Sequence, residues 1–298
     1  VTKRYVTVSE IQDFLRCRWR WYAKWVLNRV PRKYSSALIL GTAVHDVLEA
    51  HFNGDLLPDA FAEVSYNLST RARSLTDPSE IVATTVAHKD LQKYRPQIVG
   101  WRDRFNVEET LEVEEVFEEF VSEKTDILHR KERWVLRGIP DRVVAVSGKV
   151  YHMQHKTAAI NQPVDVLMKF FSRSLHETLY GAHLRDKYAD REYAGSIINI
   201  IRKGVLKPGG NVDALNFQGA VALTDFDFTR ARANLRAIVR EMQRAEALGD
   251  VWAQIDNAQE DAGPNKNYLD GYRDVLAGKA SLDDDTLFMN RESRYGSA

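Results

Sequence analysis

The sequence predicts an α/β fold, with apolar strands in a sheet, helices flanking it and a further helical elaboration on its N-terminal side. Two observations carry this. Strand-length apolar runs fall in the second half of the chain, at Trp134 to Ile139, Val150 to Gln154 and Ser196 to Ile201. Stretches with apolar residues at helical spacing precede and separate them. Helices, then three strands, a helix and a further strand is the order of one α/β core.

The elements follow in order. Ser9 with Gln12 three residues later is a capping-box signal. Ile11, Phe14 and Leu15 then recur at helical spacing, which predicts a helix from Ser9 to about Leu27. A loop holds Pro31. In Leu40 to Phe52, Val44, Val47, Leu48 and His51 share one helical face. Helical patterning continues to about Arg104, broken near Pro58 and Pro78. Leu111 to Val121 reads as a strand. Arg133 to Thr157 reads as a hairpin, with its two apolar runs paired and Ser147-Gly148 at the turn. An amphipathic helix is predicted from Val164 to Tyr188 and a buried strand from Gly195 to Arg202. Pro208-Gly209-Gly210 marks a loop. Thr229 to Leu248 is helical, with Leu235, Ile238, Val239 and Met242 on one face. Periodicity fades after Gly249, and Asp283-Asp284-Asp285 and the tail from Arg291 look solvated.

The 298 residues are 44% hydrophobic and 28% charged, enough for a sizeable core in a soluble globular protein. No segment reads as a signal peptide or a membrane span. The lone Cys17 excludes an internal disulfide and an all-cysteine metal site, and makes a reducing cytoplasm the default location. Net charge is zero, from 42 basic and 42 acidic residues, so a nucleic acid would have to use a local basic track.

The chemistry gathers around Pro140-Asp141 and Gln154-His155-Lys156. Alternation puts Gln154 and Lys156 on one face of their strand, and the hairpin brings Asp141 near them. A lysine in an apolar strand needs an anion, borne by the protein or bound to it. An acid, an amide and a lysine together could hold a divalent cation and a phosphate, the chemistry of metal-dependent phosphodiester hydrolysis. An Asp after Pro is also an ordinary turn former. His45 reads either as a core-edge histidine or as a ligand brought by a helix to the mouth of the sheet. Gly41 would let the start of that helix pack closely on another backbone. Arg16, Arg18, Arg20 and Lys24 alternate with aromatics, a surface that could neutralise phosphates and stack bases. The plainer alternative is an amphipathic helix with Trp inside and Arg in water.

Taken together, these segments resemble the PD-(D/E)XK nuclease superfamily, in its RecB-like and phage-exonuclease-like branch. Ser9 to Cys17 is similar to the N-terminal segment that usually ends in Cys-Pro. Gly41-Thr42-Ala43-Val44-His45 matches the Gly-x-x-x-His helix. Gly138-Ile139-Pro140-Asp141-Arg142 matches the strand with the first acid. Gln154-His155-Lys156-Thr157 stands where Asp-Tyr-Lys-Thr is usual, and His176-Glu177-Thr178-Leu179-Tyr180 where Gln-x-x-x-Tyr often follows.

The resemblance implies a restriction-endonuclease-like core, a central mixed β-sheet flanked by helices. The resemblance spans roughly residues 5 to 190; with the loss of periodicity after Gly249, the expected division is a nuclease-like domain over residues 1–250 and a partly irregular C-terminal extension over 251–298. The implied activity is a Mg²⁺- or Mn²⁺-dependent deoxyribonuclease, an exonuclease of phage or bacterial origin serving DNA recombination or repair. His45, Asp141 and Gln154 would bind the metal, with the backbone carbonyl of His155. Lys156 would orient water or steady the phosphate, and Tyr180 would contact phosphate or base. Glu114 or Glu115 could add an acid, and the alternation does not decide between them. Ring-forming relatives allow a homo-oligomer. The lone Cys17 argues against an iron–sulfur cluster. The neutral Gln154 opens an alternative, a DNA-binding or assembly protein that keeps the fold without catalysis.

Overall fold

The computed structural model describes residues 1–32, 34–125, 131–172, 174–204, 211, 215–248, 272, 281–283 and 288–290. The predicted loop at Pro208-Gly209-Gly210 and the tail from Arg291 lie outside the described residues, as does most of 251–298 and of the Asp283-Asp284-Asp285 run. The chain forms two compact units, one from residues 34–117 and 138–232, the other from 1–33, 118–137 and 233–298.

The first of these holds the larger sheet. Its strands are β3 (Val107–Val113), β6 (Arg142–Val146), β7 (Lys149–Ala159), β8 (Glu192–Lys203) and β9 (Asn216–Ala222), in the order β3-β6-β7-β8-β9. Strands β6 and β7 form the hairpin, joined at Ser147 and Gly148 with φ of 52° and 73°. Two consecutive positive φ values are the turn that matches the twist of the flanking strands. Strand β7 runs parallel to β8, so the chain must cross over between them, through α7 (Val164–Phe171) and α8 (Leu175–Lys187). The other neighbours are antiparallel, and the sheet is mixed.

Against this sheet packs α3 (Ser36–Phe52), and α4 (Leu57–Ser74), α5 (Pro78–Lys93) and α6 (Arg95–Val99) join it in one core. Pro58 and Pro78 lie in the first turns of α4 and α5, where a missing N–H costs no helical bond. Val44, Val47 and Leu48 of α3 are buried with Val144, Met153 and Ile197 of the sheet. This mixed sheet flanked by helices is the restriction-endonuclease-like architecture.

The other unit has a three-stranded sheet in the order β1-β5-β4, with β1 (Thr2–Val6) parallel to β5 (Lys131–Gly138), and β4 (Phe117–Thr125) at its edge. It also holds α1 (Val8–Arg16), α2 (Arg18–Trp21), a π-turn at Tyr22–Val26, and β2 (Arg29–Pro31) paired with β10 (Phe288–Asn290). Helix α9 (Asp225–Leu248) is shared by both units. Among the described residues no helix is long and apolar enough to cross a membrane.

Four expectations change. The run Trp134 to Gly138 is β5 and pairs with β1, so it is not the partner of β7. Pro140 has no N–H to give a ladder, and the chain leaves one sheet there and enters the other. Leu111 to Val121 is two strands, because Glu114 turns the chain with φ of 49°. The helix expected from Ser9 begins at Val8, capped by the Thr7 hydroxyl, which accepts from the Glu10 N–H at 3.2 Å. It stops at Cys17, which is extended with φ of −160°. Finally, the helix expected over Val164 to Tyr188 breaks after Phe171 and restarts under a Ser174 cap.

Candidate active site

Asp141 lies one step before β6, and the registers on both sides place its neighbours. Val113 pairs with Arg142 on one side, and Met153 pairs with Arg142 on the other. One further step sets Glu114 beside Asp141 in one direction and Gln154 in the other. The backbone confirms the first, since the Glu114 N–H donates to the Asp141 carbonyl at 3.3 Å. On the second side the Asp141 carboxylate accepts the His155 N–H at 2.6 Å.

Helix α3 brings His45 over this point. Its Nδ1 lies 3.7 Å from Asp141 Oδ1 and 3.9 Å from Glu114 Oε1. One ligand atom from each of the three residues falls within 4.8 Å of the others. Ligands about 2.1 Å from a hard cation stand roughly 3 to 4 Å apart, so an imidazole and two carboxylates at this spacing fit a divalent ion. Burial works to raise the Asp141 pKa, but His45, Lys156 and the His155 N–H outweigh it and hold the carboxylate below its ordinary value. Burial works to lower the His45 pKa, and Asp141 and Glu114 outweigh it in the opposite sense. Asp141 is therefore ready as an anion.

Gln154 and Lys156 share a face of β7, as alternation predicts. The Lys156 ammonium donates to Gln154 Oε1 at 2.9 Å. An ammonium only donates, so the amide oxygen must face it. Gln154 Nε2 is buried without a hydrogen-bond partner among the described residues.

The His155 ring is buried behind the site. Trp101 Nε1 donates to Asn199 Oδ1 at 3.1 Å, and an indole N–H can only donate. Asn199 Nδ2 therefore donates to His155 Nδ1, at 2.6 Å. That nitrogen carries no proton, and the ring is neutral; burial first, opposed by Asp141, takes its pKa down to about 3. Phe52 stacks on the ring with centroids 5.3 Å apart.

Tyr180 sits on α8 and is buried. Its hydroxyl accepts the Ile139 N–H at 3.4 Å, two residues before Asp141. His176, half-buried one turn earlier, has its ring centroid 5.6 Å from that of Tyr180. On the same helix Glu177 lies 2.9 Å from His152 Nε2, with both side chains fully buried. The other ring nitrogen of His152 meets the Tyr193 hydroxyl at 2.6 Å. Gly41 is not forced by close backbone packing, since a Cβ there would meet Thr157 Oγ1 at an ordinary 3.7 Å.

The basic segment belongs to the other unit. Trp19 and Trp21 are core residues, packed edge-on against Tyr272 and Phe14. Lys24 and Arg20 lie 2.7 and 3.8 Å from Asp13, and Arg18 lies 3.6 Å from Glu241. Arg16 is exposed. Arg18, Arg20 and Lys24 thus have acidic neighbours, and Trp19 and Trp21 are interior.

The sequence left Glu114 and Glu115 undecided. Glu115 turns to Lys187, at 3.2 Å, and Glu112 to the same lysine at 2.7 Å. Glu114 alone of the three joins His45 and Asp141. No periodicity could select it, because it stands in a turn with positive φ, outside either strand.

No curated protein matches the chain in sequence. Among solved structures it is similar to a "putative exonuclease" from Eubacterium rectale, with 13% identity, a TM-score of 0.46, and coverage of 82% of this chain and 81% of that one. The family model of the PD-(D/E)XK nuclease superfamily matches residues 5–267. A match of that span takes in the whole His45, Asp141 and Lys156 constellation, and the chain belongs to the PD-(D/E)XK nuclease superfamily, nucleases that use divalent metal ions.

Proposed function

We propose that this protein is a Mg²⁺- or Mn²⁺-dependent deoxyribonuclease, acting as an exonuclease on DNA. The observation that carries this reading is the meeting of His45, Glu114 and Asp141 beside the Lys156 ammonium. A bound divalent ion would supply a Lewis acid for a phosphate oxygen and a more acidic water. The three side chains would hold that ion. Lys156, kept in place by Gln154 Oε1, would steady the negative charge that grows on the phosphate as the bond breaks. The buried His155 ring excludes water from behind the site, and its backbone N–H orients Asp141.

Labelled DNA tests this directly. Linear duplex should be degraded in Mg²⁺ or Mn²⁺, closed circular DNA should survive, and Asp141→Ala should be inert. Equal attack on circles would make the protein an endonuclease. Gln154 favours a second reading, a DNA-binding protein with a degenerate site; metal-independent binding with no cleavage of any DNA would establish it.

A further inference from the structure

Asp141 has two neighbouring strands, and the family resemblance places a second acid on only one of them, at position 154. Here that position is Gln154, and its amide oxygen is turned to Lys156 at 2.9 Å. The residue on the opposite side of Asp141 is Glu114, with Oε1 3.9 Å from His45 Nδ1. Its backbone sits at φ of 49°, a conformation that side-chain-bearing residues seldom adopt. Glycine would suit the backbone better. The neighbouring acids, Glu112 and Glu115, are engaged by Lys187 instead.

We infer that the second carboxylate of the metal site has changed sides: Glu114, on the β3 side of Asp141, carries the charge that Gln154 lacks. The two positions have exchanged roles. Glu114 is a ligand. Gln154 is a positioning residue that holds Lys156 through a neutral acceptor, leaving the ammonium charge uncancelled for the phosphate. The metal site therefore keeps two carboxylates and one imidazole, and Gln154 is no sign of lost function. This rests on the metal-dependent nuclease reading.

Calorimetry with Mn²⁺ alone tests the exchange without using activity. Glu114→Gln should weaken Mn²⁺ binding by about 10- to 100-fold, the scale of losing an anionic group from a metal site. The double variant Glu114→Gln/Gln154→Glu should recover binding to within about threefold of the parent, a residual difference under 1 kcal/mol. Glu114→Gly removes the carboxylate while easing the backbone, so it should fold at least as well as the parent and bind Mn²⁺ as weakly as Glu114→Gln. Parental affinity in Glu114→Gln and Glu114→Gly would overturn the inference, as would a double variant no better than Glu114→Gln. DNA cleavage by the parent, measured alongside, separates the two claims. Cleavage with Glu114 irrelevant to Mn²⁺ leaves the nuclease and removes the exchange. Mn²⁺ held through Glu114 with no cleavage leaves the exchange and removes the nuclease.

Discussion

Gly138 is where packing sets the position of the acid, and Gly138→Ala measures how tightly. A Cβ at this residue would lie 2.5 Å from the Phe117 ring and 2.6 Å from the Tyr180 ring. Both rings must retreat by roughly 1 Å to reach ordinary contact. They cannot retreat freely, because Phe117 meets Tyr180 edge-on at 5.2 Å and stacks on His183 at 4.2 Å. Overpacking of this kind costs about 1 to 3 kcal/mol. For a chain of this size that lowers the melting temperature by roughly 2 to 5 °C. The Tyr180 hydroxyl also holds the Ile139 N–H, so moving Tyr180 shifts the segment that delivers Asp141. Metal affinity should fall with stability. The assay is a double-mutant cycle with Phe117→Leu, read by thermal melting and Mn²⁺ calorimetry. The smaller side chain makes room, so the pair should be non-additive, with at least half the Gly138→Ala loss recovered. Strict additivity, or a Gly138→Ala protein as stable as the parent, would refute the packing argument.

Three more outcomes are expected. Lys156→Ala should lower turnover at saturating DNA far more than DNA affinity, because its charge acts where the transition state gains charge; single-turnover cleavage checks it. Burial and the Lys156 charge push the His176 pKa down to about 4 from an ordinary 6.5, so its neutral form stabilises the fold above pH 6.5 and that contribution is lost as pH falls toward 4. His176→Gln should therefore flatten the acid limb of urea stability by about 1 to 3 kcal/mol between those pH values, and an unchanged limb would show that His176 does not report there. His152→Leu should cost about 3 to 5 kcal/mol by stranding the buried Glu177, and His152→Leu/Glu177→Leu should recover most of it; equilibrium denaturation of the single and double variants decides.

Much of the fold was legible because its signals are local. Proline breaks at Pro58 and Pro78, the turn at Ser147-Gly148 and the apolar run of β8 all act within a few residues. What failed was the pairing of strands. The run Trp134 to Gly138 has the same composition whether it pairs with β7 or, as it does, with Thr2–Val6. Sheet membership is decided by a contact more than a hundred residues away, and only Pro140 hinted that the ladder ends there. The helix breaks at Cys17 and Ser174 were missed for a related reason. Apolar periodicity continued across both, while single polar caps set the ends.

The placement of Gln154 beside Lys156 was legible in the sequence, and that of Glu114 beside Asp141 was not. Alternation correctly put Gln154 and Lys156 together, since period-two geometry needs no knowledge of the neighbours. It cannot show that Asp141 stands between two strands, because the apolar runs alone pair β5, rather than β6, with β7. With one neighbour in view, Gln154 reads as a ligand whose neutral amide is a lost charge, and Glu114 or Glu115 only as an added acid left undecided. With both neighbours in place, the same sequence brings two acids to one nitrogen of the imidazole, one just before the strand and one in a strained turn. A departure from a motif is a loss of charge only if no adjacent strand can return it. In a sheet each central residue has two neighbours, and a motif written along the chain records one.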